Sequence, residues 1–223
     1  MAKFENPFVD EAYEKSLKRI IDVVLSSILL IIFSPVCILA ILSIKLDSNG
    51  SVFADVPERV GQKSRKFKMY KFRSMITNAH QLLRTDPRFK SLYNEYKKGS
   101  YKLKKDPRIT EIGRFIRKHS IDEIPQLINV VKGEMSLVGP RAYYPDELEE
   151  QQRKYPHTQE LVKKVLSVKP GITGLWQVSG RSEINFDKRI ALDATYVNNI
   201  SLWNDLKIIF KTPLIMITGK GAI

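Results

Sequence analysis

Ile20 to Ile44, IIDVVLSSILLIIFSPVCILAILSI, is a run of 25 residues with a single charge, Asp22. As one straight helix it would reach about 38 Å, enough to cross a hydrocarbon core of about 30 Å. The segment therefore points to a membrane. A cleaved secretory signal is the competing reading, but such apolar regions run about 7–15 residues and end at a small-residue cleavage site, whereas this run is longer and shows no such site. Two features bear on how the segment sits. Ser34-Pro35 falls near its middle, where a proline removes a backbone hydrogen bond and clashes with the preceding turn. Lys15, Lys18 and Arg19 precede it, and Lys45 follows. Cytoplasmic flanks are the ones enriched in Lys and Arg, so both ends ask for the same side. A helix that breaks at Ser34-Pro35 and returns satisfies both, and a kinked transmembrane helix remains the alternative. Asp22, near the start, is placed to pair with Lys18 or Arg19 one turn earlier.

Charge narrows the partners. The chain of 223 residues carries 37 Lys and Arg against 24 Asp and Glu, a net +13. From Arg59 to Lys118 there are 19 basic and four acidic residues, so this block holds the whole excess. Such a block implies an anion: nucleic acid, acidic lipid or a phosphate-bearing substrate. One cysteine, Cys37, and three scattered histidines exclude a disulfide scaffold and a zinc site.

Beyond the apolar run, Ser48-Asn49-Gly50 marks a turn, and Ser51 to Asp55 and Phe67 to Met75 read as strands. Alternation in FKMYKFRSM sets Phe67, Met69, Lys71 and Arg73 on one face, with Lys71 and Arg73 roughly 7 Å apart. That spacing suits two neighbouring phosphates, though without context a Lys-x-Arg pair reads first as a solvated strand face. Glu111 to Lys118 reads as a short helix or strand carrying Arg114, Arg117 and Lys118. Ile124, Leu127, Ile128 and Val131 follow a helical stripe, so a helix is expected from about Asp122, closed by Gly133. Ser120-x-x-Glu123 has capping-box spacing, and Asp122 is itself a good N-cap. The same acidic pair would point about 100° apart on a helix and could serve two substrates. Gly139-Pro140-Arg141 is a rigid turn ending in a cation with a fork suited to phosphate. Pro170 to Arg181 (PGITGLWQVSGR) is a glycine-rich loop that fits neither a P-loop nor a dinucleotide fingerprint. Leu202, Trp203, Leu206, Ile209 and Phe210 form an apolar helical pattern that fits either a headgroup-level helix or one packed on the core.

Taken in order, Lys18-Arg19 to Ser34-Pro35, Tyr70-Lys71-Phe72-Arg73-Ser74-Met75, Asp106-Pro107-Arg108, Ser120 to Leu127, Gly133 to Arg141, Pro170 to Arg181, and Tyr196 to Lys207 resemble the bacterial sugar transferases. These are the monotopic polyprenyl-phosphate phosphoglycosyl transferases that initiate exopolysaccharide, capsule and O-antigen synthesis. The resemblance implies an α/β fold, mostly helical with a small sheet. It divides the chain into an N-terminal extension (1–14), a re-entrant membrane helix broken at Ser34 and Pro35 (15–45), and a cytoplasmic catalytic domain with interfacial amphipathic helices (46–223). It implies transfer of a sugar-1-phosphate from a UDP-sugar, with a lean to galactose or glucose, onto undecaprenyl phosphate, releasing UMP. Asp122 would be the nucleophile and a ligand of Mg²⁺, and Glu123 the assisting carboxylate. Lys71, Arg73, Arg117, Arg141 and Arg181 would hold the anionic substrates. Membrane lipid and downstream glycosyltransferases are implied partners, nucleic acid is not, and a homodimer is left open. The expected location is the cytoplasmic face of the bacterial inner membrane. Two departures are visible: Pro140-Arg141-Ala142 stands where the family commonly has Pro-Arg-Pro, and Ile121 and Ile124 flank the acidic pair where Leu is usual.

Overall fold

The computed structural model describes residues 13–98, 103, 105–180 and 184–218. Most of the 1–14 extension lies outside them, as does Arg181. The apolar run forms two helices, α1 (Lys18–Ile32) and α2 (Ser34–Asp47), bent by 59°. Pro35 falls in the first turn of α2, where a missing N–H leaves no bond unmade. The Ser34 hydroxyl donates to the Ile31 carbonyl at 2.8 Å across the bend. No single helix among the described residues is long and apolar enough to cross a membrane, though this bent pair is by length and composition.

Asp22 is buried, and its partner is neither Lys18 nor Arg19, as the one-turn spacing suggested. Its Oδ1 accepts from the Leu137 N–H at 3.0 Å. Lys18 instead reaches Asp205 and the Val138 carbonyl, and Arg19 donates to the carbonyls of Val130 and Val131. These long-range partners replace the local pair because α1 lies against α6 (Gln126–Lys132) and β3 (Ser136–Val138), whose exposed backbone groups need donors and acceptors. Asp205 is the hub of this knot. It also accepts from the hydroxyls of Tyr13 and Tyr196, both at 2.7 Å.

Regular strands are few. β1 (Arg59–Val60) and β2 (Lys66–Phe67) form an antiparallel pair, and β3 runs parallel to β4 (Gly171–Thr173). The expected strands over Ser51–Asp55 and Phe67–Met75 do not form as a ladder. Beyond β2 the chain stays extended, but its backbone partners belong to different segments: Asn129 for Tyr70, Asp122 for Phe72, Val52 for Arg73. Single bridges join Phe53 to Phe72 and Met75 to Ile109. Burial alternates through Met69 and then stops, with Phe72, Arg73 and Ser74 all inside.

Helices surround these pieces: α3 (Ala79–Thr85), α4 (Lys90–Lys98), α5 (Glu111–Lys118), α7 (Pro145–Lys154), α8 (Gln159–Val165), α9 (Leu175–Ser179), α10 (Phe186–Asn198) and α11 (Leu202–Thr218). Helix α2 packs on α5 through Ala40, Ile44, Phe72 and Ile116. The main core joins Leu127, Val130, Met135, Val138, Tyr196 and Ile208. The apolar stripe expected from Asp122 onward is shifted: Leu127 and Val130 are buried, whereas Ile128 and Val131 are exposed, because α6 starts four residues later than the spacing suggested. Gly133 ends α6 with φ 83°, as a C-cap glycine does.

Beside the parallel β3–β4 pair, the backbones of Gly139 and Gly171 nearly touch. A Cβ on Gly171 would lie 2.1 Å from the Gly139 nitrogen, with no flexible side chain to yield. Gly171→Ala is expected to cost about 3 kcal/mol, measured as a fall in the melting temperature of the purified protein.

Candidate active site

A cavity of about 410 Å³ opens among these elements, and its wall includes Lys71, Arg117, Asp122, Glu123, Arg141 and Trp176. The segment that delivers the acidic pair is built from α5 outward. Thr110 caps α5 by accepting from the Gly113 N–H at 2.9 Å. Gly113 lets the helix press on the Ser74 carbonyl, 1.9 Å from where a Cβ would stand. Past α5, Ser120 takes φ 54° and turns the chain into a single helical turn, Ile121–Glu123.

Neither capping arrangement open to the sequence is what forms at this turn. Ser120 makes no side-chain cap bond, and as the left-handed residue it precedes a 3₁₀ turn rather than α6. The Asp122 carbonyl accepts from Phe72 at 3.0 Å, which fixes the turn against the extended segment. Lys71, on that segment, donates to Glu123 Oε1 at 2.7 Å and to Asp122 Oδ2 at 3.4 Å. Asp122 is only 8% exposed. Burial pushes its carboxyl above the ordinary range, and Glu123 adds to that against the pull of Lys71 and Arg117. Burial alone would lower Lys71, but the charges of Glu123 and Asp122 together raise it, so it stays a cation.

The sequence-derived cations separate. Lys71 bonds to the acidic pair, and Arg117 lines the same cavity close enough for its charge to act on Asp122. Arg141 reaches the cavity from the turn after β3, its guanidinium carbon 5.1 Å from the Trp176 ring centre. Arg73 differs: its guanidinium donates to the carbonyls of Ser48 (2.7 Å) and Asn49 (2.6 Å) and to the Thr77 hydroxyl (3.1 Å). It lines the cavity while fastening the end of α2, because those carbonyls lie past the helix and lack intrahelical donors. Lys71 and Arg73 thus bond to different partners, although both line the cavity.

Three groups escaped the sequence reading. Arg59 is buried against Tyr144 with its carbon 3.3 Å from the ring centre. Asp193, on α10, accepts from the Arg141 N–H at 3.1 Å and the Tyr143 hydroxyl at 2.9 Å, and so pins the Arg141 turn. Glu147 and Arg189 form an ion pair sealed from solvent. In the sequence Arg59 is one of many basic residues, and the other two lie in ordinary amphipathic helices.

Burial pushes the Asp193 carboxyl up to about 7, in spite of its hydrogen bonds and of Arg189 and Arg141. A raised carboxyl pKa binds a proton more tightly in the folded state. Stability therefore falls as pH rises from about 3.9, the unfolded value, through 7, and is level above. Asp193→Asn keeps an acceptor and removes the charge. It is expected to be more stable than the parent by on the order of 2 kcal/mol at pH 8, with a smaller gap at pH 5 in thermal unfolding.

Among the described residues there is no cluster of three His, Cys, Asp or Glu side chains suited to a metal. The carboxylates of Asp122 and Glu123 do fit Mg²⁺, which is commonly held by one or two carboxylates together with substrate phosphates and water.

The family model for bacterial sugar transferases matches residues 13–219. The chain is 47% identical over 210 residues to an uncharacterized sugar transferase of Haemophilus influenzae, covering 92% of this chain and 42% of that protein. It is 45% identical over 210 residues to the undecaprenyl-phosphate galactose phosphotransferase of Salmonella typhimurium, covering 92% and 41%. With the exopolysaccharide production protein ExoY of Rhizobium meliloti it shares 40% over 205 residues, covering 92% and 87%. The chain thus spans about four-tenths of the length of the first two. A match that takes in both bent helices, the acidic turn and the Arg141 loop shows that the chain belongs to the bacterial sugar transferase family.

Proposed function

We propose that the chain transfers a sugar-1-phosphate from a UDP-sugar to undecaprenyl phosphate, with Asp122 as the nucleophile. One observation carries this reading: a buried carboxyl, raised in basicity, stands on the wall of a cavity that also gathers Lys71, Arg117 and Arg141. An Asp122 oxygen attacks the sugar-bearing phosphorus, the bond from that phosphorus to the bridging oxygen breaks, and UMP leaves. An oxygen of the lipid phosphate then attacks the same phosphorus. The acyl-phosphate bond breaks, the Asp122 carboxylate returns, and a lipid-linked diphosphosugar departs. Dividing the transfer in this way lets a soluble donor and a lipid acceptor use one site in turn.

Both attacks bring negative groups together, so cations decide the barrier. Lys71 orients the two carboxylates, and Arg117 and Arg141 face the donor's phosphates. Glu123, more exposed than Asp122, sits where it can take a proton from the lipid phosphate or orient it. Mg²⁺ held by Asp122 and Glu123 would neutralise charge on the diphosphate.

The membrane side of the proposal is argued from exposed apolar faces. Ile20, Val24, Ile28, Ile31 and Ile32 on α1, and Ile38, Leu39 and Leu42 on α2, are all exposed. On α11 the pattern is inverted for a water-soluble helix: Asp205 and Ile208 are buried, while Trp203, Phe210 and Leu214 are 64–72% exposed. Patches of this kind mark a membrane or protein contact. With both flanks basic, the bent pair enters and leaves on the cytoplasmic side of the bacterial inner membrane, and α11 rests at the headgroups. Among sugars, galactose is favoured by the name of the Salmonella relative. The product would then feed downstream glycosyltransferases. Purified protein given undecaprenyl phosphate, Mg²⁺ and radiolabelled UDP-sugars in turn is expected to move label into the lipid phase and release UMP with at least one of them. Release of free sugar phosphate, or of no UMP with any donor, would overturn the reading.

A further inference from the structure

Three of the six Lys and Arg side chains that line the cavity are tied to structural partners. Lys71 is committed to the carboxylates, Arg73 to carbonyls past α2, and Arg108 to Asp106 and the Ala79 carbonyl. Arg117 lines the cavity near the acidic pair, and two other guanidiniums, Arg59 and Arg141, carry a buried Nε without a partner. Arg59 is 7% exposed and makes one hydrogen bond, from Nη1 to the Ala142 carbonyl at 3.0 Å. Its Nε is buried with no partner. Arg141 likewise has a buried, unpartnered Nε, and its guanidinium carbon lies 5.1 Å from the Trp176 ring centre and 6.0 Å from that of Tyr143. Among the described residues neither forms an ion pair with a carboxylate. The buried acids in this region are engaged elsewhere: Glu147 is paired with Arg189, and Asp193 accepts from the Arg141 backbone N–H and the Tyr143 hydroxyl.

A guanidinium has five N–H donors and is charged at any ordinary pH. Two of them side by side, Arg59 buried and Arg141 half-buried, with no carboxylate in direct contact, are costly to hold. Their repulsion shows in Arg59, whose basicity is lowered by burial and then by the charge of Arg141. Both line the cavity that contains Asp122, and Arg59 is anchored to the residue that follows Arg141. What would balance them is an anion entering that cavity. Aromatic rings behind both guanidiniums leave their donor edges for the ligand, so little ordering remains to be done on binding.

We propose that Arg59 and Arg141 form a two-guanidinium seat for the phosphate of the UMP portion of the donor, with Arg59 as a donor-binding residue of the transfer reaction. The assignment rests on the reaction proposed above, in which UMP is the group that Asp122 displaces. The seat holds the nucleotide phosphate in the Michaelis complex and stabilises the charge that grows on it as the phosphorus–oxygen bond breaks. Arg fits because its planar fork meets two phosphate oxygens at once, which a lysine cannot do.

The test is UMP binding to the full chain in detergent, measured by titration calorimetry, beside the steady-state KM for undecaprenyl phosphate. R59Q is expected to weaken UMP by about 10- to 100-fold, the range for a lost hydrogen bond to a charged group. R59K, which keeps the charge and much of the stem, is expected to weaken it by about 10-fold and carries the test if R59Q does not fold. The KM for the lipid should stay within about 2-fold. UMP affinity unchanged in R59K, with an unchanged melting temperature, would overturn the seat. A raised lipid KM with normal UMP binding would also overturn it, by assigning these donors to the acceptor phosphate. Failure of the parent protein to release UMP from any UDP-sugar would take down the reaction itself. Normal release with normal UMP binding by both variants would take down the seat alone.

Discussion

Asp122→Asn is expected to abolish sugar-phosphate transfer, lowering the rate by roughly 10³-fold or more, while leaving UMP binding and the melting temperature close to those of the parent. The amide fits the same space, and only one long contact with Lys71, 3.4 Å, depends on its charge. Glu123→Gln should behave differently. Its partner Lys71 is closer, at 2.7 Å, yet the residue does not bond to phosphorus in the proposed reaction. The first half-reaction, UMP release in a single turnover without acceptor, should survive in Glu123→Gln, and handover to the lipid should slow by about 10²-fold. Rapid-quench measurement of the two half-reactions separates these outcomes. If Asp122→Asn kept normal turnover, the carboxyl could not be the nucleophile.

The second large effect is expected in the pocket's backing. Glu147 and Arg189 are fully buried partners, 3.3 Å apart. Their influence reaches both cavity guanidiniums. Glu147 accepts from the Tyr144 N–H at 3.4 Å, and Tyr144 is the ring behind Arg59. Arg189 stands 5.5 Å from the Trp176 ring centre, and Arg141 is 5.1 Å from the same ring. Removing one partner strands a charge without water, which costs about 3–5 kcal/mol. Glu147→Leu alone should therefore unfold at much lower temperature. Adding Arg189→Met should recover a good part of the loss, because replacing both ions leaves no stranded charge. A double variant less stable than Glu147→Leu would show that the pair does not act as a unit. UMP affinity should fall in the double variant even where stability is recovered, since the backing of both rings has changed.

The parts of this molecule that could be read from the sequence are those decided locally. The bend in the apolar run follows from Ser34-Pro35, and the end of α6 follows from Gly133, each a backbone effect confined to one turn. The residues that sequence spacing misjudged are those whose partners come from far along the chain. Asp22 had two basic neighbours within one turn, yet its acceptor role is set by Leu137, 115 positions away. Lys71 and Arg73 are two residues apart with like charge, and alternation alone made them equivalent. The structure turns one to the acidic pair and the other to carbonyls past α2. Phe67–Met75 carried a strand pattern, but strand pairing needs a continuous partner, and this segment bonds to three different ones. Arg59 was hidden for the opposite reason: a block with 19 basic residues does not reveal which of them lack a counterion. The acidic pair itself was visible by residue type, while the left-handed turn at Ser120 that leads into it was not.

The central claim concerns a bond between an Asp122 oxygen and phosphorus, and intact-protein mass spectrometry after rapid quenching reads it most directly. Protein mixed with UDP-sugar and Mg²⁺, without lipid acceptor, should gain the mass of one sugar phosphate, and fragmentation should place it on the peptide carrying Asp122. The adduct should disappear when undecaprenyl phosphate is added. A preparation that releases UMP and makes lipid-linked product, yet never carries the adduct on that peptide, would contradict the account.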